Sequence, residues 1–308
     1  MKLLFMGTPD FAVPTLQKLA QSGYPLVAVV TAPDKPAGRG QRLTPPAVKV
    51  AAQELSIPVL QPENLNDNEF LQTLEQLQAD LYVVAAFRIL PESVLRLPPL
   101  GAINLHASLL PKYRGAAPIQ WALINGEKET GVTTFFIEKQ VDTGKILLQK
   151  AVPIPEEMTA GELHDLLAIV GADLVLETVE GIARGTLTPR DQIGEPSRAP
   201  KLTPEMERID WRLPARALHN WIRGMSPIPG MKTLRQGRSI KILRTRVAAE
   251  NGTAEPPGTV LSASDGKLTV QTGEGALDIL TLKPEGKRTM TAGEFLRGYR
   301  IRKGERFE

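Results

Sequence analysis

The sequence has no cysteine and only three histidines, His106, His164 and His219, in 308 residues. The first absence excludes a disulfide framework, a thiolate nucleophile, an iron–sulfur cluster and any Cys-ligated zinc. The second leaves no two imidazoles close enough in sequence to suggest a metal pair, so no metal is expected. Long apolar runs are missing as well. The longest, residues 81–87, has 7 residues, against the roughly 20 that a bilayer demands. The first six residues meet Gly7-Thr8-Pro9-Asp10 too soon to form a signal-peptide core. A cytoplasmic protein with no membrane association is expected. No internal repeat is present, and no G-x-G-x-x-G follows the first strand, which disfavours a nicotinamide dinucleotide.

What is present is an uneven distribution of charge. The formal total of +3 conceals a net of −5 over residues 1–205 and +8 over residues 206–308. A basic second part favours a polyanionic partner, the alternative being a basic but merely solvated surface.

The length predicts two domains at roughly 150 residues each. Residues 2–6, 26–31, 59–60, 81–86 and 102–105 read as strands, and helical patterns at 11–21, 48–55 and 69–78 lie between them. Such alternation argues for an open, mostly parallel, Rossmann-like α/β sheet, whose ligands bind at the carboxyl ends of the strands. A helix at 160–184 opens on Thr159 and Glu162, a capping-box pattern. A Pro-, Gly- and polar-rich stretch then begins near residue 185, which sets a first domain at 1–189, a linker at 190–205 and a second domain at 206–308. After a short helix at 214–223 come strand-like pieces at 231–235, 239–247, 258–262, 267–271 and 276–283. This spacing predicts a small OB-like β-barrel.

Chemistry concentrates between Ile103 and Gly144. Asn104 and His106 lie two apart at a strand end, on one face. Another strand at 132–137 leads to Val141-Asp142-Thr143-Gly144. A neutral donor, a proton carrier and an orienting carboxylate are what transfer through a tetrahedral intermediate requires. Spacing alone leaves the ordinary alternative open, a satisfied strand-end histidine and a turn-forming aspartate.

Asn104-Leu-His106-Ala-Ser108-Leu-Leu-Pro111, Tyr113-Arg114-Gly115-Ala-Ala-Pro118-Ile-Gln120, Thr130-Gly131-Val-Thr and Val141-Asp142-Thr-Gly144 resemble the folate-dependent formyltransferases. Met6-Gly7-Thr8-Pro9-Asp10-Phe11 and Pro33-Asp34-Lys35-Pro36-Ala37-Gly38-Arg39-Gly40 resemble the branch that acts on initiator methionyl-tRNA. The likeness continues through Ala199-Pro-Lys201-Leu, Ile209-Asp210-Trp211 and Pro256-Pro-Gly258.

The resemblance implies 10-formyltetrahydrofolate as co-substrate and the methionyl α-amino group as acceptor. Asn104, His106 and Asp142 would be catalytic. Ser108, Leu109, Leu110, Pro111, Phe87 and Arg88 would line the folate site. Arg88 departs from the family, which commonly has an aromatic-Gly pair before Ile-Leu-Pro. Lys35, Arg39 and Arg42 would meet the tRNA acceptor end. Separately, alternate spacing along the predicted strand at 239–247 leaves Arg244 and Arg246 on one face, a candidate tRNA-phosphate surface. No obligate protein partner is implied, and a monomer is expected. Trp211 and Trp221 are expected to pack rather than to stack on bases, and His164 and His219 are given no role. Formyltransferases acting on glycinamide ribonucleotide or on sugar nucleotides share the catalytic trio and are the rival readings, along with a catalytically idle RNA-binding protein.

Overall fold

A computed structural model describes residues 1–37, 42–251 and 255–308. Two compact units emerge. One comprises Met1–Gly115, Thr130–Val152 and His164–Arg198; the other comprises Ala116–Glu129, Pro153–Leu163 and Ala199–Glu308.

The first unit is built on seven strands: β1 (Leu3–Gly7), β2 (Leu26–Val30), β3 (Val59–Leu60), β4 (Leu81–Ala85), β5 (Ala102–His106), β6 (Glu129–Phe136) and β7 (Ile146–Pro153). Their order across the sheet is β7-β6-β5-β4-β1-β2-β3. β1, β2, β3, β4 and β5 are parallel, and β6 runs antiparallel to β5. Every residue of β1 and β4 is buried, as strands covered on both faces must be, and their sequences LLFMG and LYVVA supply the apolar surface. Helices α1 (Val13–Ala20), α2 (Ala47–Glu54), α3 (Asn68–Leu77) and α4 (Glu92–Leu95) belong to this unit, and Phe70 and Leu74 of α3 join Leu4, Met6, Tyr82 and Val84 in one core. The turn after β1 requires Gly7, because a Cβ there would stand 2.8 Å from the Ala12 Cβ and 3.0 Å from the Ala85 carbonyl.

The second unit contains α5 (Pro118–Ile124), α7 (Ala215–Gly224), α8 (Ala292–Gly298) and an antiparallel sheet. Its strands are β8 (Met231–Arg235), β9 (Arg238–Ala249), β10 (Val260–Ser264), β11 (Lys267–Gln271), β12 (Ala276–Pro284) and β13 (Met290–Thr291). The order is β8-β9-β12-β11-β10, with β13 beside β12. Thus the five predicted strands are all present, but the described strands do not form a closed barrel. Instead, the C-terminal residues cover both edges: Glu305 O accepts from Val260 N, Phe307 N donates to Gly258 O, and Leu234 and Glu308 exchange backbone bonds. This removes two rows of exposed edge groups. Trp211 packs in this core, stacked on Phe307 at 5.9 Å, with its indole N–H given to Thr233 Oγ1. Trp221 packs edge-on against Trp121. Helix α6 (Ala160–Arg184) starts within the second unit's range and continues in the first unit's, and its first turn has the expected Thr159–Glu162 capping pair.

Candidate active site

Parallel strands open their carboxyl ends to ligands, and β5 ends on His106. Val84 of β4 is level with Asn104 and Ala85 with Leu105, so the loop after β4 emerges beside this end. Alternation along β5 puts Asn104 and His106 on one face. His106 is buried, 6% exposed. Its Nε2 lies 2.8 Å from the Tyr113 carbonyl. A carbonyl only accepts, so Nε2 carries the hydrogen and Nδ1 is left as the ring nitrogen free to exchange a proton. Nδ1 faces Asp142 Oδ2 at 3.8 Å, too far for a direct hydrogen bond, and the carboxylate attracts the ring only when Nδ1 carries a proton. The Asn104 amide is half-buried and makes no hydrogen bond among the described residues.

Asp142 is fixed from the backbone side. Its Oδ2 accepts from Gly115 N at 2.8 Å. Its own backbone has φ 55°, and Tyr113, which supplies the carbonyl for His106, has φ 59°. Both are left-handed conformations that non-glycine residues seldom adopt. Two residues that the sequence reading missed hold them. Ser197 Oγ accepts from Tyr113 N at 2.9 Å, and Ser197 O accepts from Arg114 N at 2.9 Å. Gln192 Nε2 donates to Asp142 O and to Gly144 O, each at 2.9 Å, while its Oε1 accepts from Arg114 Nε and Nη2 at 3.1 and 2.6 Å.

The 108–111 loop is organised by a single buried hydroxyl. Thr133 Oγ1 on β6 donates to Ser108 O and accepts from Leu110 N and Gln149 Nε2. Ser108 Oγ donates to Lys112 O. Ser108, Leu110 and Pro111 are buried, and Leu109 is half-buried. After β4, Phe87 is half-buried and Ile89 is 75% exposed. Arg88 donates to the carbonyls of Glu63 and Pro62, and its guanidinium carbon sits 5.2 Å from the Phe87 ring centre. Burial pulls its pKa below the ordinary value, and its Nε is buried without a partner among the described residues.

Of the residues expected to meet tRNA, Arg39 and the side chain of Arg42 lie outside the described residues. Lys35 is exposed at the start of a short antiparallel pairing, Lys35–Ala37 with Arg42–Thr44. Asp34 anchors that pairing by accepting from Gln61 and Lys49. In the second unit, Arg244 pairs with Glu162, and Arg246 pairs with Glu157 at 2.7 Å. Thr245 between them is buried, so the two arginines share the outer face of β9. No group of three or more His, Cys, Asp or Glu side chains suited to a metal occurs among the described residues.

Comparison with known proteins adds an independent view. Residues 1–179 match the family model described as formyl transferase, and residues 201–300 match that of the formyl transferase C-terminal domain. A methionyl-tRNA formyltransferase of Pelotomaculum thermopropionicum is 50% identical over 97% of this chain and 96% of its own. One from Caldanaerobacter subterraneus subsp. tengcongensis is 48% identical over 99% of each. Among solved structures, an N-formyltransferase from Helicobacter canadensis, in complex with folinic acid and dTDP-3-aminofucose, has a TM-score of 0.67 at 20% identity and covers 91% of this chain and 98% of its own. HypX from Aquifex aeolicus with tetrahydrofolic acid gives 0.66 at 17% identity over 100% of this chain and 51% of its own. These two likenesses concern the fold.

Proposed function

Because the chain belongs to the formyl transferase family, we propose that it transfers the formyl group of 10-formyltetrahydrofolate to the free α-amino group of methionyl-initiator-tRNA, in the cytoplasm, as a step of translation initiation. The observation that carries this reading is near-full-length identity of 48–50% to relatives bearing that activity in their names. The site's chemistry agrees with it. An amide with no partner among the described residues, a buried imidazole and a carboxylate gather at a strand end, and two apolar side chains, half-buried Phe87 and exposed Ile89, lie on the neighbouring loop. That combination of apolar rim and polar floor fits a folate.

When bound, the folate supplies a formyl carbon activated by its bond to nitrogen. In this reading, Asn104 donates its amide N–H to the oxygen that gains charge during transfer. His106, with Nε2 committed to Tyr113 O, uses Nδ1 to take the proton that leaves the amine as the new C–N bond forms, and returns it to the folate nitrogen as the old C–N bond breaks. Asp142 stabilises that charge across 3.8 Å, while the bond to Tyr113 O fixes the ring's orientation. Ser108, Leu109, Leu110 and Pro111 shape the floor, and Phe87 and Arg88 border it. Residues 206–308 act as an OB-like tRNA-binding domain joined through 190–205; five antiparallel strands and the net of +8 support this. Lys35, Arg39 and Arg42 engage the acceptor end, and Arg244 and Arg246 the phosphates.

The test is a substrate panel. With a formyl donor, charged initiator tRNA is expected to be formylated, while glycinamide ribonucleotide and an amino-sugar nucleotide are not. Faster transfer to either small amine would overturn the assignment.

A further inference from the structure

The stretch from residue 185 reads as linker, yet residues 190–197 lie along the first unit and contact the loops that carry the proposed chemistry. Arg190 exchanges backbone hydrogen bonds with Ile146 at 2.8 and 2.7 Å, which anchors the start of the strap to an edge strand. Seven residues on, Ser197 takes the Tyr113 and Arg114 amides. Between these anchors stands Gln192, half-buried while its neighbours Asp191 and Ile193 are exposed.

We propose that Gln192, through Arg114, is a positioning residue that sets the separation of His106 and Asp142. The inference rests on the formyl-transfer reading. His106 is oriented by Tyr113 O, and Asp142 by Gly115 N. These two backbone groups flank Arg114. Gln192 grips Arg114 with its carbonyl oxygen and the backbone on either side of Thr143 with its amide N–H groups. One side chain therefore joins the loop behind the imidazole to the loop carrying the carboxylate. An amide suits this place because it accepts at one end and donates two N–H bonds at the other, while Arg114 has only donors and the loop carbonyls only accept. Glu at the same position would keep the length and the bond to Arg114 but would face two carbonyl oxygens with no hydrogen to give. Displacing a reacting group by about 1 Å is enough to cost on the order of 10²-fold in rate.

The experiment is steady-state and single-turnover formylation of charged initiator tRNA by wild type, Gln192→Glu, Gln192→Ala, Arg114→Ala and the Arg114→Ala/Gln192→Ala double variant. Folate affinity and melting temperature are measured in parallel. Expected are falls in kcat of about 10–10² for both Gln192 variants, KM values and folate affinity within twofold of wild type, and a displaced pH profile of kcat. The double variant should be no slower than Arg114→Ala alone, because the two residues work as one clamp. Wild-type kcat in Gln192→Glu, a loss confined to KM, or additive losses in the double variant would overturn the proposal. An inactive wild type would instead overturn the formyl-transfer reading, so the two failures are distinct. Gln192→Glu keeps the side chain's shape, so the test survives if Gln192→Ala does not fold.

Discussion

Tyr113 and Asp142 carry left-handed backbone where a regular strand or turn would avoid it. Aspartate tolerates this conformation better than tyrosine, so the hydrogen bond from Tyr113 N to Ser197 and the Gln192 contacts on Asp142 hold what local preference resists. Strain of this kind concentrates where geometry serves chemistry. Gly144 belongs to the same loop: a Cβ there would stand 1.7 Å from Phe136 O, so Gly144→Ala must move the loop or the strand. Loss of most formylation activity is expected for that variant, read by single-turnover transfer, and full activity would contradict a fixed Asp142 loop. Asn104→Ala removes a donor that has no partner among the described residues. Its kcat should drop about 10²–10³-fold, corresponding to about 2.7–4 kcal/mol, with melting temperature and KM little changed. A variant within threefold of wild type would remove Asn104 from the mechanism.

Among the elements, α7 contributes a buried polar set to the second unit. His219 Nδ1 meets Thr245 Oγ1 at 3.0 Å and its Nε2 meets Glu156 O at 3.1 Å. Burial holds this imidazole's pKa below the ordinary value, and the nearby Arg223 and Arg216 charges act in the same direction against the Glu156 carbonyl. The unfolded chain therefore binds the proton more readily than the folded one. Stability is fully present above the unfolded value of about 6.5 and declines as pH falls below it. The urea midpoint of wild type should drop between pH 7 and 5 more steeply than that of His219→Gln, and equal slopes would contradict this.

The core strands were legible because β1, β2 and β4 are nearly uniform apolar runs, and the α6 start because its cap is spelled out as Thr159 and Glu162. Several elements were not. Ile146–Pro153 mixes Gln149 and Lys150 into an edge strand, Pro118–Ile124 is a helix of only about two turns, Ala292–Gly298 contains two glycines, and Glu92–Leu95, Met290–Thr291 and the Lys35–Ala37/Arg42–Thr44 pairing are too short to set a period. Asn104, His106 and Asp142 stood out as residue types that chemistry requires. Gln192 and Ser197 did not, because a Pro- and Gly-rich sequence shows where regular structure stops, not which loops the chain then crosses.

Over the whole molecule, the net of −5 in residues 1–205 and +8 in residues 206–308 suits the proposed division between a site for chemistry and a surface for a polyanion. Arg246 and Glu157 are 60% and 47% exposed as a pair. Exposed ion pairs contribute about 0–1 kcal/mol, so the proposed phosphate contact would displace the carboxylate at little cost. Binding through such residues weakens as salt rises, with each phosphate contact adding about 0.7–0.9 to the slope. This division of labour has a direct test: single-turnover formylation of charged initiator tRNA by Asp142→Asn and Arg246→Gln across tRNA and salt concentrations. Asp142→Asn should lose about 10²–10⁴-fold in rate at saturating tRNA with its affinity and salt slope intact, whereas Arg246→Gln should keep the saturated rate, bind more weakly and show a shallower slope. Should the two variants fail in the same way, or Asp142→Asn retain the wild-type rate, chemistry and tRNA capture are not divided as described.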